Sequence, residues 1–139
     1  MRLWHTNLIP FLPKGQLLAQ WRELNSIFSK EDKHILINYI YDYPKDDLYM
    51  YTEKVIEEMK NRGYQIRTFD KMERYFSEIN EIKTVMPFKE HHNDEYLEIC
   101  YYNLKEKFIR GQKDYDVALF KNLEAYYLEK KYAMDNLSP

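Results

Sequence analysis

The stretch Leu17-Leu18-Ala19-Gln20-Trp21-Arg22-Glu23-Leu24-Asn25-Ser26-Ile27-Phe28 decides the fold. Leu17, Leu18, Trp21, Leu24 and Phe28 recur at three- and four-residue steps, which lines one side of an α-helix with apolar groups. The same rhythm returns downstream. Leu48, Tyr51, Val55, Ile56 and Met59 predict a helix opened by Asp46 and Asp47, with Lys60 and Arg62 suiting its negative end and Gly63 closing it. Leu97, Cys100, Tyr101, Leu104 and Phe108 predict a long helix capped by Asn93 or Asp94 and ended by Gly111. A shorter helix is expected over Asp70–Ile82 and a last one over about Asp116–Lys131. Upstream of Leu17, Pro10 and Pro13 predict an extended arm, since each proline pushes its predecessor away from helix. Ser29 is placed to cap a further helix through Ile35, Leu36, Tyr39 and Ile40, broken at Tyr43-Pro44. The β-branched and aromatic run of residues 35–43 leaves a strand open there. The expected fold is all-α, a compact helical bundle forming a single domain over residues 1–139.

Composition agrees with a folded core: 45% of the 139 residues are hydrophobic and 17% aromatic, far from the profile of a disordered chain. One cysteine, Cys100, excludes an internal disulfide and fits a reducing compartment. No segment approaches the roughly 20 apolar residues of a membrane span. The opening Met-Arg-Leu-Trp-His lacks the apolar core of a signal peptide, so a cytoplasmic location is expected. Net charge is −2, which by itself neither marks nor excludes a nucleic-acid protein. Its distribution is uneven: five basic against three acidic side chains in residues 1–40, nine against fourteen in 41–100, and seven against six in 101–139. A DNA surface built from both ends with an acidic back is compatible with this.

Chemistry concentrates at Arg22-Glu23. Such a pair on a helix is ordinarily a solvated face of little energetic worth. Here the apolar stripe leaves both side chains projecting away from it, and an extended N-terminal arm lies just upstream. A carboxylate beside an amine can serve as acid, base or electrostatic partner. His5, on the same arm, is a candidate active-site residue; a packed Trp4 and a hydrogen-bonded His5 are the structural alternative. His91-His92 with Asp94 and Glu95 makes a poor metal site, because adjacent side chains point apart and no second group completes a tetrahedron. No metal is expected. His34 reads as structural, most tyrosines as packing, and Cys100 as a small buried hydrophobe. No Gly-rich phosphate loop, Ser-His-Asp set or CxxC pair is present, which removes nucleotide hydrolases, serine hydrolases and thiol redox proteins.

The opening Met-Arg-Leu-Trp-His, Leu8-Ile9-Pro10, Leu17-Leu18-Ala19, Arg22-Glu23-Leu24 and Lys33-His34 resemble the pyrimidine dimer DNA glycosylases of the endonuclease V type. The resemblance resumes at Arg62-Gly63-Tyr64-Gln65-Ile66 and faintly at Leu104-Lys105-Glu106-Lys107-Phe108. It implies an all-helical domain whose N-terminal arm threads between helices towards the active site. It further implies a glycosylase with abasic-site lyase activity on damaged DNA, needing neither metal nor cofactor; the expected partner is double-stranded DNA, and the chain is expected to act as a monomer. By that likeness the terminal α-amine attacks the sugar carbon bearing the damaged base, Glu23 supports charge and moves protons, and Arg22 binds at the lesion. Arg2 and Lys107 match phosphate-contacting positions, and with Lys14, Arg22 and Lys33 they form the candidate DNA-binding set. Phage-type members expose a threonine amine once the initiator methionine is removed. Here the bulky Arg2 follows Met1 and leaves it in place, so Met1 is expected to supply the amine, with one extra residue in the arm. Gln16 and Ser26 stand where that pattern carries further basic residues, and its lysine-rich aromatic tail has only Tyr126-Tyr127 and Lys130-Lys131 as counterparts. These departures leave a second reading open: a non-catalytic helical module on the same scaffold that binds DNA or protein.

Overall fold

The computed structural model describes residues 1–137. Its α-helices are α1 (Lys14–Lys30), α2 (Lys45–Asn61), α3 (Asp70–Tyr75), α4 (Asp94–Ile109) and α5 (Val117–Leu137), with 3-10 helices at Thr6–Phe11 and Asn38–Asp42. No strand occurs among the described residues. The fold is all-α.

The helices with the clearest stripes form where the sequence predicts them. In α2, Leu48, Tyr51, Val55, Ile56 and Met59 are buried. Gly63 adopts φ 85°, its N–H bonds to Lys60 O at 2.9 Å, and the Tyr64 N–H reaches back to Met59 O at 2.9 Å. That double closure satisfies carbonyls that a helix end leaves free. Gly111 ends α4 in the same way, with φ 83° and bonds from Gly111 N to Phe108 O and Gln112 N to Lys107 O, both at 3.0 Å. Asn93 caps α4 by accepting from Tyr96 N at 2.9 Å. The buried residues of α1 are Leu17, Gln20, Leu24, Ile27 and Phe28. Its inner stripe is therefore rotated from the expected one, with Leu18 and Trp21 only half-buried at its edge and the polar Gln20 inside.

Five expectations need correction. The arm does not run extended to Pro13. It is extended through His5 and then winds into the 3-10 helix, where proline's fixed φ is tolerated and one missing N–H costs little. His5 starts this turn by accepting from Asn7 N at 3.1 Å. Ser29 caps nothing; it lies inside α1, which continues to Lys30 and stops at Glu31 with φ 49°. The segment beyond forms neither the predicted helix nor a strand. Ile35 and Leu36 are 86% and 42% exposed, while Ile37 and Ile40 are buried, so a single turn of 3-10 helix suffices to bury what the core needs before Pro44. Helix α3 ends at Tyr75 rather than Ile82: Phe76 caps it, its N–H bonding back to Met72 O at 3.0 Å, and Ser77 and Asn80 beyond favour turns over helix. The last helix, conversely, runs past Lys131.

Residues from Leu3 on the arm to Tyr127 on α5 share one buried apolar cluster. The arm lies at its centre. Leu3, Trp4, His5, Leu8, Ile9 and Leu12 are all buried, and side chains from three helices bind its backbone. Gln20 of α1 holds Trp4 N and Arg2 O, Tyr51 of α2 donates to Trp4 O at 2.7 Å, and Tyr96 of α4 donates to Leu3 O at 2.6 Å. An extended segment surrounded by helices has no partner strand, so its buried backbone groups must be met by side chains. These aromatic hydroxyls and one amide do so. The arm threads between helices, and its path fixes where the first residue emerges.

Candidate active site

Gln20 and Glu23 lie three residues apart, neighbours on one face of α1. The Gln20 amide is 1% exposed and fully bonded. Its nitrogen donates to Arg2 O and to Glu23 Oε2, each at 3.0 Å, and its oxygen accepts from Trp4 N at 2.9 Å. The Tyr51 hydroxyl, with one proton to share, sits 2.9 Å from that same oxygen and 2.7 Å from Trp4 O. Two acceptors facing the nitrogen and a backbone donor facing the oxygen fix which way round the amide lies. One side chain thus clamps the arm to the helix and orients the carboxylate.

Glu23 is half-buried, and burial raises its pKa above the ordinary glutamate value. The N-terminal ammonium, the Arg2 backbone amide and Arg22 each pull it part of the way back. The chain's first amine is thus close enough to act on the carboxyl electrostatically. Met1 itself is 40% exposed, so this corner is open to solvent. Through Gln20, the structure places the chain's first residues beside Glu23.

Arg22 is exposed beside Glu23 and lines a hollow with Asn25, Ser26 and Lys71. Arg2 is folded inward, its guanidinium 5.8 Å from the Trp4 ring centre and 5.7 Å from that of Tyr96. The remaining candidates do not converge on this corner. Lys14 is the first residue of α1, with its amine 5.9 Å from the Tyr64 ring centre. Lys33 lies beyond the other end of the helix, its amine 3.8 Å from the ring centre of Tyr41. The 17 residues of α1 rise about 25 Å, so these two lysines flank Arg22 at a distance. Lys107, in the last turn of α4, is about 16 Å further along that helix than Tyr96.

The histidines are structural in their contacts. His5 is buried, caps the 3-10 helix and stacks on His92 at a centroid distance of 5.3 Å. Burial lowers the His5 pKa to about 4 and that of His92 to about 3. Thr6 N donates to His92 Nδ1 at 3.1 Å, which leaves the proton of the neutral ring on Nε2, 2.6 Å from the Tyr39 hydroxyl. His34 is exposed and accepts from Leu36 N at 3.1 Å. Cys100 is buried, and burial raises its pKa, which suits an unreactive thiol. No group of three or more His, Cys, Asp or Glu side chains that could hold a metal occurs among the described residues. No described helix is long and apolar enough to cross a membrane. The hollow between α2 and α3, with Ile56, Lys60, Phe69, Glu73 and Phe76 in its wall, includes neither Met1 nor Glu23.

Sequence reasoning missed Gln20, Tyr51 and Tyr96. The signal for Gln20 was its register: Leu17, Gln20, Leu24 and Ile27 fall at inward steps, and a polar residue in that series must find partners inside.

The fold is an all-helical one in which a threaded N-terminal arm is tied through Gln20 to a half-buried glutamate, beside an exposed arginine. The family model for pyrimidine dimer DNA glycosylases matches residues 1–72, just over half of the chain, and the chain belongs to that family. The match takes in the arm, α1, α2 and the start of α3. No curated protein and no solved structure matches the chain.

Proposed function

We propose that this glycosylase removes a damaged base from double-stranded DNA and then cleaves the strand, with the Met1 amine as nucleophile. The neutral amine attacks the sugar carbon C1′. The bond from C1′ to the base breaks, the base leaves with its electron pair and takes up a proton, and the sugar ring opens to an imine with the amine nitrogen. Loss of a proton from the adjacent C2′ then expels the 3′ phosphate by β-elimination, and water hydrolyses the imine to restore the amine. An α-amine suits the task, because in its neutral form it is a nucleophile able to form a covalent imine. Glu23 stabilises positive charge developing on the sugar and carries protons to and from it. Its raised pKa brings that exchange nearer to neutrality. Arg22 binds the DNA at the lesion, Arg2 secures the arm, and residues 1–139 act as one domain, as a monomer.

The single observation behind this reading is that Gln20 bonds both the Arg2 carbonyl and Glu23 Oε2, each at 3.0 Å, which sets the chain's first residues beside this carboxyl in a corner left open by a half-exposed Met1. The test is reductive trapping. Untagged protein incubated with abasic-site duplex and borohydride is expected to form a covalent complex whose linkage maps to the Met1 nitrogen. Acetylating that nitrogen, or extending the chain by one residue, should abolish it. Trapping that survives either change, or a linkage at a lysine, refutes the assignment of the nucleophile.

A further inference from the structure

The geometry points to a phosphate track on the α1–α3 face, in which Lys45, Lys71 and Arg74 extend from Arg22 and hold the backbone of one DNA strand. This rests on the proposed action on DNA and names the surface that would grip it.

Two shallow hollows lie side by side on this face. One is walled by Arg22, Ser26, Ser29 and Lys71, and the other by Ser29, Lys45, Lys71 and Arg74. Ser29 and Lys71 belong to both, so the two form one continuous groove. Four of its side chains are cations and no carboxylate lines either hollow, in a chain where acidic residues outnumber basic ones 23 to 21. None of the four cations is in an ion pair among the described residues, whereas Lys30, Arg62, Arg110, Lys121 and Lys131 are. Of the nearby acids, Asp32 accepts from the Ser26 hydroxyl and Glu31 from the Tyr75 hydroxyl at 2.7 Å, and neither lines the groove. Lys45 lies with its amine 4.1 Å from the Tyr75 ring centre. Past Arg74 the surface changes sign, for the next hollow is lined by Asp70 and Glu73 as well.

A run of cations outside ion pairs, two of which donate only to backbone carbonyls (Lys45 to Tyr75 O and Arg74 to Asp70 O, each at 3.4 Å), matches a chain of phosphates better than it matches a single anion. From Arg22 to Ser29 the helix rises about 10 Å, roughly three nucleotides of a strand at 3.4 Å each. Arg22 adjoins Glu23, so the track begins at the proposed reaction centre and leads away from it. Phosphate contacts of this kind set register without reading sequence.

The test compares the full-length wild type with Lys45→Gln/Lys71→Gln/Arg74→Gln, all three positions being exposed, by anisotropy on a duplex carrying a stable abasic analogue over a salt series. A control triple, Lys83→Gln/Lys89→Gln/Lys113→Gln, removes the same charge elsewhere. Each lost phosphate contact lowers the dependence of log K on log salt by about 0.9. The track variant should therefore be about 2 to 3 units shallower, and the control close to wild type. Equal slopes for wild type and track variant overturn the track, as does an equal drop in the control or a wild type that binds duplex without salt dependence. Borohydride trapping separates the two readings: trapping with an unaltered slope fails the track alone, and a lowered slope without trapping fails only the enzyme.

Discussion

The Gln20 amide nitrogen lies 3.0 Å from Glu23 Oε2, and the same group donates to the carbonyl of Arg2 at 3.0 Å. The arm and the carboxylate are therefore registered by one buried side chain, not by independent contacts. Anything that moves Gln20 moves Met1 relative to Glu23. A displacement near 1 Å in such a centre is enough to lower a rate by about two orders of magnitude.

Gln20→Ala leaves the buried Trp4 N–H without its acceptor and takes a donor from Glu23. The unpaired buried group costs about 1–3 kcal/mol of stability, readable by urea unfolding. Losing a hydrogen bond to its ionised form should raise the Glu23 pKa further, so the acid limb of the trapping-rate profile moves to higher pH. A stability loss with an unmoved profile would reduce Gln20 to a packing role.

Glu23→Gln separates catalysis from folding. The replacement amide oxygen can still accept from Gln20, and it spares the fold a half-buried negative charge. A carboxyl whose folded pKa is raised opposes folding once ionised, so the variant should melt at or above the wild-type temperature at pH 7. Activity should fall by about 10²- to 10⁴-fold. Differential scanning fluorimetry beside a single-turnover assay checks both. Loss of stability in parallel with activity would mark Glu23 as structural.

Much of this architecture was legible because local and tertiary signals agree. In α2 and α4 an apolar stripe, an acidic first turn and a left-handed glycine all point to the same helix. The stretch from Glu31 to Tyr43 was not legible. Its apolar spacing mimics a helix, but Ile37 and Ile40 are the residues the core takes, and Tyr41 turns back to donate to Asp32 O. Glu23 stood out through the opening motif, whereas Gln20 did not, since a polar residue on an amphipathic helix reads as solvated. Lys71 and Arg74 were lost in the acidic count of residues 41–100. Only the packing of α3 on α1 brings Lys71 against Ser26, a position where α1 itself supplies no charge.

The His5–His92 stack predicts acid lability of the arm. Both rings are neutral in the fold, with pKa values of about 4 and about 3 set mainly by burial, against 6.5 for the free side chain. Asp94 favours the charged form of His5, while His5 and His91 oppose that of His92. Between pH 6.5 and about 4 the unfolded chain binds more protons than the native one, so stability is fully present above 6.5 and is lost as pH falls. Each histidine adds a slope of up to about 1.4 kcal/mol per pH unit. Glu23, with its raised pKa, works in the opposite direction but is less buried. The break has a defined place. Protonating His92 at Nδ1 turns an acceptor into a donor facing Thr6 N–H, so the contact fixing the arm to the loop before α4 becomes repulsive. Urea midpoints at pH 7.5 and 5.5 should differ markedly for the wild type and much less for His5→Gln/His92→Gln. Hydrogen exchange should show the Trp4 and Thr6 amides opening before those of α2. Equal pH dependence in the two proteins would mean that other groups carry the acid transition.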